Sequence, residues 1–218
     1  MINFKKKLSL LFFLFLLVNS FFLPASSELN NKILVKVGSE IITSLDLQNE
    51  IITNLVINKQ EINQENINQI KDYSIKNLIN KKIKQIEIKK YEVKDYNKKD
   101  LNDYLLNIAS SRFETNILGL KDIFKKNDIS FDSFSKNFET ELLWNTLIFS
   151  MYKNQTNINL VEVDNELNKY KDNKTIEELA EIKKKILDQK KQEKLNLFSR
   201  SHFSNLENSI QINFLWKN

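Results

Sequence analysis

The chain has 218 residues, 41% hydrophobic and 28% charged, with two glycines, one proline, one histidine and no cysteine. A buried core is within reach, but phosphate-cradling loops, dinucleotide fingerprints, many-turned β-sandwiches, disulfides, thiolate chemistry and multi-histidine zinc sites are not. The net charge of +5 shrinks to 30 basic against 28 acidic side chains once residues 1–27 are set aside, and only Arg112 and Arg200 are arginines, so nothing points to nucleic acid.

Residues 1–27 carry Lys5-Lys6-Lys7, a largely apolar run from Leu8 to Val18, and a small-residue stretch ending Pro24-Ala25-Ser26-Ser27. That is the layout of a secretory signal peptide, with Ala25 and Ser27 suited to a cut before Glu28. The alternative is an uncleaved anchor, although the run falls short of the roughly 20 residues that span a bilayer. No cysteine follows to carry a lipid. With no second spanning segment, the mature chain is expected to be exported and soluble.

Lys32 to Thr43 alternates Ile33, Val35 and Val37 with polar neighbours, turns at Gly38-Ser39 and returns through Ile41-Ile42: a hairpin. Thr43, with Asp46 three residues on, caps a helix of about 14 residues whose inner side is Leu47, Ile51 and Leu55, with Ile52 and Val56 beside them. From Glu65 to Tyr91 runs a longer helix, apolar at Ile67, Ile70, Leu78, Ile79, Ile83 and Ile86 and basic at Lys81, Lys82, Lys84, Lys89 and Lys90. Asn97 caps a third to about Arg112, Thr115 or Asn116 a short fourth to about Asn127, and Ser130 a fifth from Phe131 to about Asn154. A small helix at Val161–Tyr170 and a long one from Thr175 to about Asn208 complete the series. Ile210, Ile212 and Phe214 then alternate as a strand. A lone terminal strand needs an edge, so it is predicted to pair with the N-terminal hairpin. The fold class is therefore mainly α, a multi-helix body with a small β-sheet made by the N-terminal hairpin and the C-terminal strand.

The run Val35-Lys36-Val37-Gly38-Ser39-Glu40-Ile41-Ile42-Thr43-Ser44-Leu45-Asp46-Leu47 resembles the opening hairpin and helix start of the SurA-type periplasmic chaperones. Ile75 to Ile83 with Tyr91-Glu92-Val93, Leu101 to Ala109, and Phe131-Asp132-Ser133-Phe134 leading to Leu142-Leu143 are similar, in order, to that family's next helices. The likeness rests on apolar positions and caps and covers residues 32–218, with Gly38 standing where the family usually has asparagine. It implies a chaperone body over 28–218 that binds unfolded outer-membrane proteins, or other apolar and aromatic-rich polypeptides, in the periplasm and assists their folding and assembly. The parvulin-type prolyl isomerase domains of the family have no room in the five residues Lys171–Thr175, so no enzymatic activity is implied. The alternative is a non-catalytic periplasmic adaptor that binds one defined partner.

Few residues carry chemistry. His202 lacks an orienting carboxylate and a nucleophile at any recognisable spacing, and reads as an ordinary surface or half-buried residue. Glu139/Glu141 and Glu177/Glu178/Glu181 read as solvated helix pairs with neighbouring lysines rather than as metal ligands. No cofactor and no metal are expected. On the fifth helix Phe131, Phe134, Phe138 and Phe149 form one stripe, expected in the core, while Trp144, Leu147 and Met151 form another. A helix with two apolar faces is either central or exposes one of them. If the second is exposed, Trp144, Leu147 and Met151 are the client-binding candidates, an adaptable surface around an apolar hollow. The lysine faces read as solvation, or as loose help in holding a client.

Overall fold

In the computed structural model, which describes residues 31–172 and 174–216, the alternating stretch after Lys32 is strand β1 (Ile33–Val37). The expected signal peptide at 1–27 lies outside the described residues. Val35 and Val37 are fully buried on one face of β1. Gly38 turns the chain at φ +54°, a value that glycine tolerates without penalty, into strand β2 (Glu40–Thr43), with Val37 opposite Glu40. The chain's last strand, β3 (Ile212–Phe214), lies antiparallel along the other side of β1, with Val37 opposite Ile212 and Val35 opposite Phe214. The sheet order is β2-β1-β3, as the hunt for an edge predicted. Two backbone bonds extend this closure: Gly38 donates to the Gln211 carbonyl at 2.9 Å and Leu215 to that of Leu34 at 2.8 Å.

Seven α-helices among the described residues do the rest: α1 (Ser44–Ile57), α2 (Gln64–Lys90), α3 (Lys98–Phe113), α4 (Ile117–Lys126), α5 (Phe131–Tyr152), α6 (Leu160–Leu167) and α7 (Ile176–Ser209). Each begins at a side-chain cap: Thr43, Asn97, Asn116, Ser130 and Thr175, among those expected from the sequence, and Asn63 and Asn159, which the sequence reading does not single out. Asn116 rather than Thr115 caps α4, its Oδ1 accepting from the Gly119 amide at 3.0 Å. The small helix before α7 is shorter than expected, since its end tightens to a 3-10 turn at Asn168–Tyr170. With almost no glycine in the chain, helix ends turn on Lys59, Glu92, Glu114 and Asp128, all at positive φ.

Three apolar clusters hold these elements. The sheet, α1 and the middle of α2 share Val35, Ile42, Leu55 and Ile83, with Phe203 and Leu206 of α7 packed against them. A second cluster joins α3, α4 and the start of α5 through Leu105, Leu120, Phe124 and Phe134. The third places Trp144, Leu147 and Ile148 of α5 against Ile88 of α2 and Leu195, Phe203 and Leu206 of α7. The two-faced helix is thus central. One correction follows for the Phe stripe: Phe134 is buried and Phe131 and Phe138 half-buried, but Phe149 is 53% exposed. Phe149 has the azimuth of Phe131 five turns further on, beyond the aromatic cluster that Phe131 and Phe134 form with Phe124 of α4.

Candidate functional site

Four helices each present one stripe of side chains to a common groove of about 560 Å3. From α1 come Glu50, Thr53, Asn54 and Ile57; from α2, Tyr73, Asn77, Asn80, Lys81 and Lys84. From α3 come Tyr104, Ile108 and Arg112, and from α5, Phe134, Asn137, Phe138 and Glu141. Every stripe has the i, i+3, i+4 or i+4, i+8 spacing that puts residues on one side of a helix. The basic face of α2, expected to be solvated, is instead largely engaged. Lys81 reaches Glu50 at 2.8 Å and Lys84 reaches Glu141 at 2.5 Å, each lysine side chain being only 18% exposed.

Within this frame several groups are left without partners. The Asn80 Oδ1 atom is buried and accepts no hydrogen bond from the described residues. The Tyr104 ring lies flat on Phe138 with centroids 3.5 Å apart, and its hydroxyl has no bonded partner among those residues. Burial raises the Tyr104 pKa above the ordinary phenol value, so near neutral pH the hydroxyl keeps its proton and can donate. Arg112, exposed at the groove, forms neither an ion pair nor a hydrogen bond with the described residues. The groove therefore offers stacked rings, an idle hydroxyl and an idle guanidinium.

The client-binding candidates Trp144, Leu147 and Met151 need correcting. Trp144 is 2% exposed and Leu147 1%, while Met151 is half-buried, because α7 lies across them. The Trp144 Nε1 donates to Ser199 Oγ at 2.8 Å, its ring meets Phe203 edge-on at 6.2 Å, and the Lys84 ammonium sits 5.9 Å from its centroid. This stripe is a docking seam for α7, and a client could reach Trp144 or Leu147 only if α7 lifted. The apolar hollow expected around it is also corrected, since the grooves between the helices have mixed walls. One of them, about 710 Å3, is lined by Lys82, Lys94, Lys136, Glu92 and Glu139 beside Val93 and Leu143, without an aromatic ring.

His202 does have an orienting carboxylate, supplied from 115 residues away: its Nε2 lies 3.1 Å from Oε1 of Glu87, which is 2% exposed. The other ring nitrogen is 2.9 Å from the Tyr152 hydroxyl. With both nitrogens engaged and no nucleophile beside them, the network ties α7 to α2 and α5. Sequence reasoning missed it, although Glu87 stands four residues after Ile83 on the buried stripe of α2, as Glu50 stands among Leu47 and Ile51 on α1. Of the acidic pairs, Glu141 is taken by Lys84 and Glu178 closes the capping box of α7. The Thr175 backbone amide, then Lys174, holds the Glu178 carboxyl below its usual pKa. Among the described residues no three carboxylate or histidine side chains meet to hold a metal ion, and no helix is long and apolar enough to cross a membrane.

No family model matches the chain, and no curated protein does. It is similar to a solved structure from Campylobacter jejuni, described for the virulence factor PEB4 and the periplasmic protein Cj1289 as two structurally related SurA-like chaperones. That likeness has 17% identity and a TM-score of 0.42, over 86% of this chain and 100% of the other.

Proposed function

We propose that this protein is an exported, ATP-independent chaperone that holds unfolded outer-membrane proteins in the periplasm, with the groove between α1, α2, α3 and α5 as its binding surface. One observation carries the reading: rings and unpartnered polar groups share a groove bridged by two ion pairs. An apolar pocket of defined shape would select one small molecule. A mixed groove with idle donors and acceptors suits extended polypeptide, whose backbone is uniform and whose side chains vary. No step of bond making is needed, and none is assigned. Micromolar affinity, about 8 kcal/mol, would hold a client and still release it by dissociation alone. The sequence resemblance to SurA-type chaperones, with strands at both ends of the mature chain, agrees with this reading.

The test is light scattering of a denatured β-barrel protein diluted into buffer with one molar equivalent of the protein. Suppression is expected, and Phe138→Glu should weaken it while Leu118→Glu, at an exposed site on α4 outside the groove, should not. Circular dichroism separates loss of binding from loss of fold. Absence of suppression by the folded wild-type protein would end the proposal, and capture of a single folded partner in its place would favour an adaptor.

A further inference from the structure

We infer that the groove discriminates among extended polypeptide segments by charge, favouring those that set an acidic side chain beside an aromatic or aliphatic one, with Arg112 as the reader. The inference rests on the holding function proposed above and narrows its clients. Five charged residues line the groove, and four cancel in pairs, Lys81 with Glu50 and Lys84 with Glu141. The remaining charge is the guanidinium of Arg112, which has no partner among the described residues. Arginine is the side chain best shaped to grip a carboxylate, through two parallel N–H donors.

Its neighbours define the rest of the segment. Arg112 follows Ile108 and Tyr104 at four-residue steps on α3, so all three point into the groove from one helix face. The Tyr104–Phe138 stack offers a flat surface to an apolar side chain. A segment lying along the groove would give a ring or aliphatic group to Tyr104 and Phe138 and a carboxylate to Arg112.

The probe is a set of fluorescein-labelled peptides of alternating aromatic and serine residues, capped at both ends, with a central Glu, Gln or Lys; a further Gln peptide has a free C-terminus. Anisotropy titrations with the protein at low salt should place the Glu peptide about fivefold tighter than the Gln peptide, as expected for about 1 kcal/mol from one exposed charge pair, with Lys weakest. Arg112→Gln should erase the Glu preference, bringing the Glu and Gln peptides within twofold of each other, and Arg112→Glu should turn the preference toward Lys. A wild-type Glu/Gln ratio within twofold, or one that survives Arg112→Gln, overturns the inference while leaving the holding function intact. A gain confined to the free C-terminus would overturn it as well, because the reader would then grip chain ends. Failure of every peptide to bind would remove the proposed function itself.

Discussion

The tie between α7 and the rest of the body can be tested at the Glu87–His202 contact, where removing the histidine alone should cost more than removing both partners. The Glu87 side chain is 3% exposed and its bonded neighbours are His202 and Lys90, the latter 61% exposed and able to give only a loose pair. His202→Leu takes away the ring N–H and leaves a buried carboxylate short of its inner donor. A hydrogen bond to a charged group contributes about 1.5–3 kcal/mol, and stranding the acceptor forfeits that or more. We therefore expect His202→Leu to cost about 2.5 kcal/mol, Glu87→Met about 1.5, and the double variant about 1.5 in all, because two apolar groups of similar volume can pack where two polar ones were bonded. The coupling energy is then about 2.5 kcal/mol. Urea unfolding followed by circular dichroism reads these values; with a slope of about 2 kcal/mol/M the histidine variant should melt about 1.2 M earlier. If the two substitutions add to within about 0.5 kcal/mol, the contact is an incidental neighbourhood and the proposed anchoring of α7 fails.

Three further outcomes follow from particular positions. Gly38→Ala should destabilise by at least about 1 kcal/mol, since φ is +54° and the added Cβ would stand 3.2 Å from Ile86 Cδ1; Glu114→Gly, at φ 53°, should stabilise by a comparable amount in the same thermal melts. In α4, a Cβ on Gly119 would come within 2.0 Å of Thr115 Oγ1 and 3.0 Å of its Cβ, so Gly119→Ala should gain nothing by itself but about 1 kcal/mol in a Thr115→Gly background, where neither atom remains. Hydrogen exchange should divide α7: residues 176–194 rest on α6 through Ile186 and Val163 and through the Lys183–Asp164 and Lys190–Glu166 pairs, so they should exchange early and faster in 1 M salt. Residues 198–206, bonded through Ser199 and His202, should exchange late; equal protection along the helix would contradict this division.

What could be read from the chain was whatever depends on neighbours in sequence. Caps such as Thr43 with Asp46, and the glycine turn at 38, act within three or four residues, and all of them stand where local chemistry put them. The pairing of β3 with β1 was legible for a different reason: an isolated three-residue strand has no stable existence, and one partner was on offer. The azimuthal fate of α5 was not legible, because whether Trp144 or Phe149 is covered depends on where α3 and α4 stop and on the path of α7. A hydrophobic stripe states a wish for cover without saying which stripe is granted it. The groove was hidden by the same limit. Its signal lay in an acid on an apolar face, Glu50, and in Tyr73, Asn77, Asn80, Lys81 and Lys84 sharing one side of α2, a pattern that reads as solvation until partners are known.

Those lysines bear on why a groove exists at all. Helices packed through apolar side chains close to interaxial distances of about 8–10 Å, and Ile57, Ile108, Phe134 and Phe138 would favour such closure here. Across the same space Lys81 spans from α2 to α1 and Lys84 from α2 to α5, each ending on a carboxylate. A largely covered ion pair adds little net stability, since desolvation offsets its attraction, and apolar residues of similar volume often serve a fold as well or better. Their contribution is therefore one of distance: two long, charged struts that lose their bonds if the walls come together and their reach if the walls move apart. Struts of this kind leave the rings of Tyr104 and Phe138 beside a gap that the protein itself does not fill. For a chain with two glycines and a single proline, and so with few sharp loops from which to build a binding site, spacing helices apart with paired charges is a route to a concave surface that its composition permits.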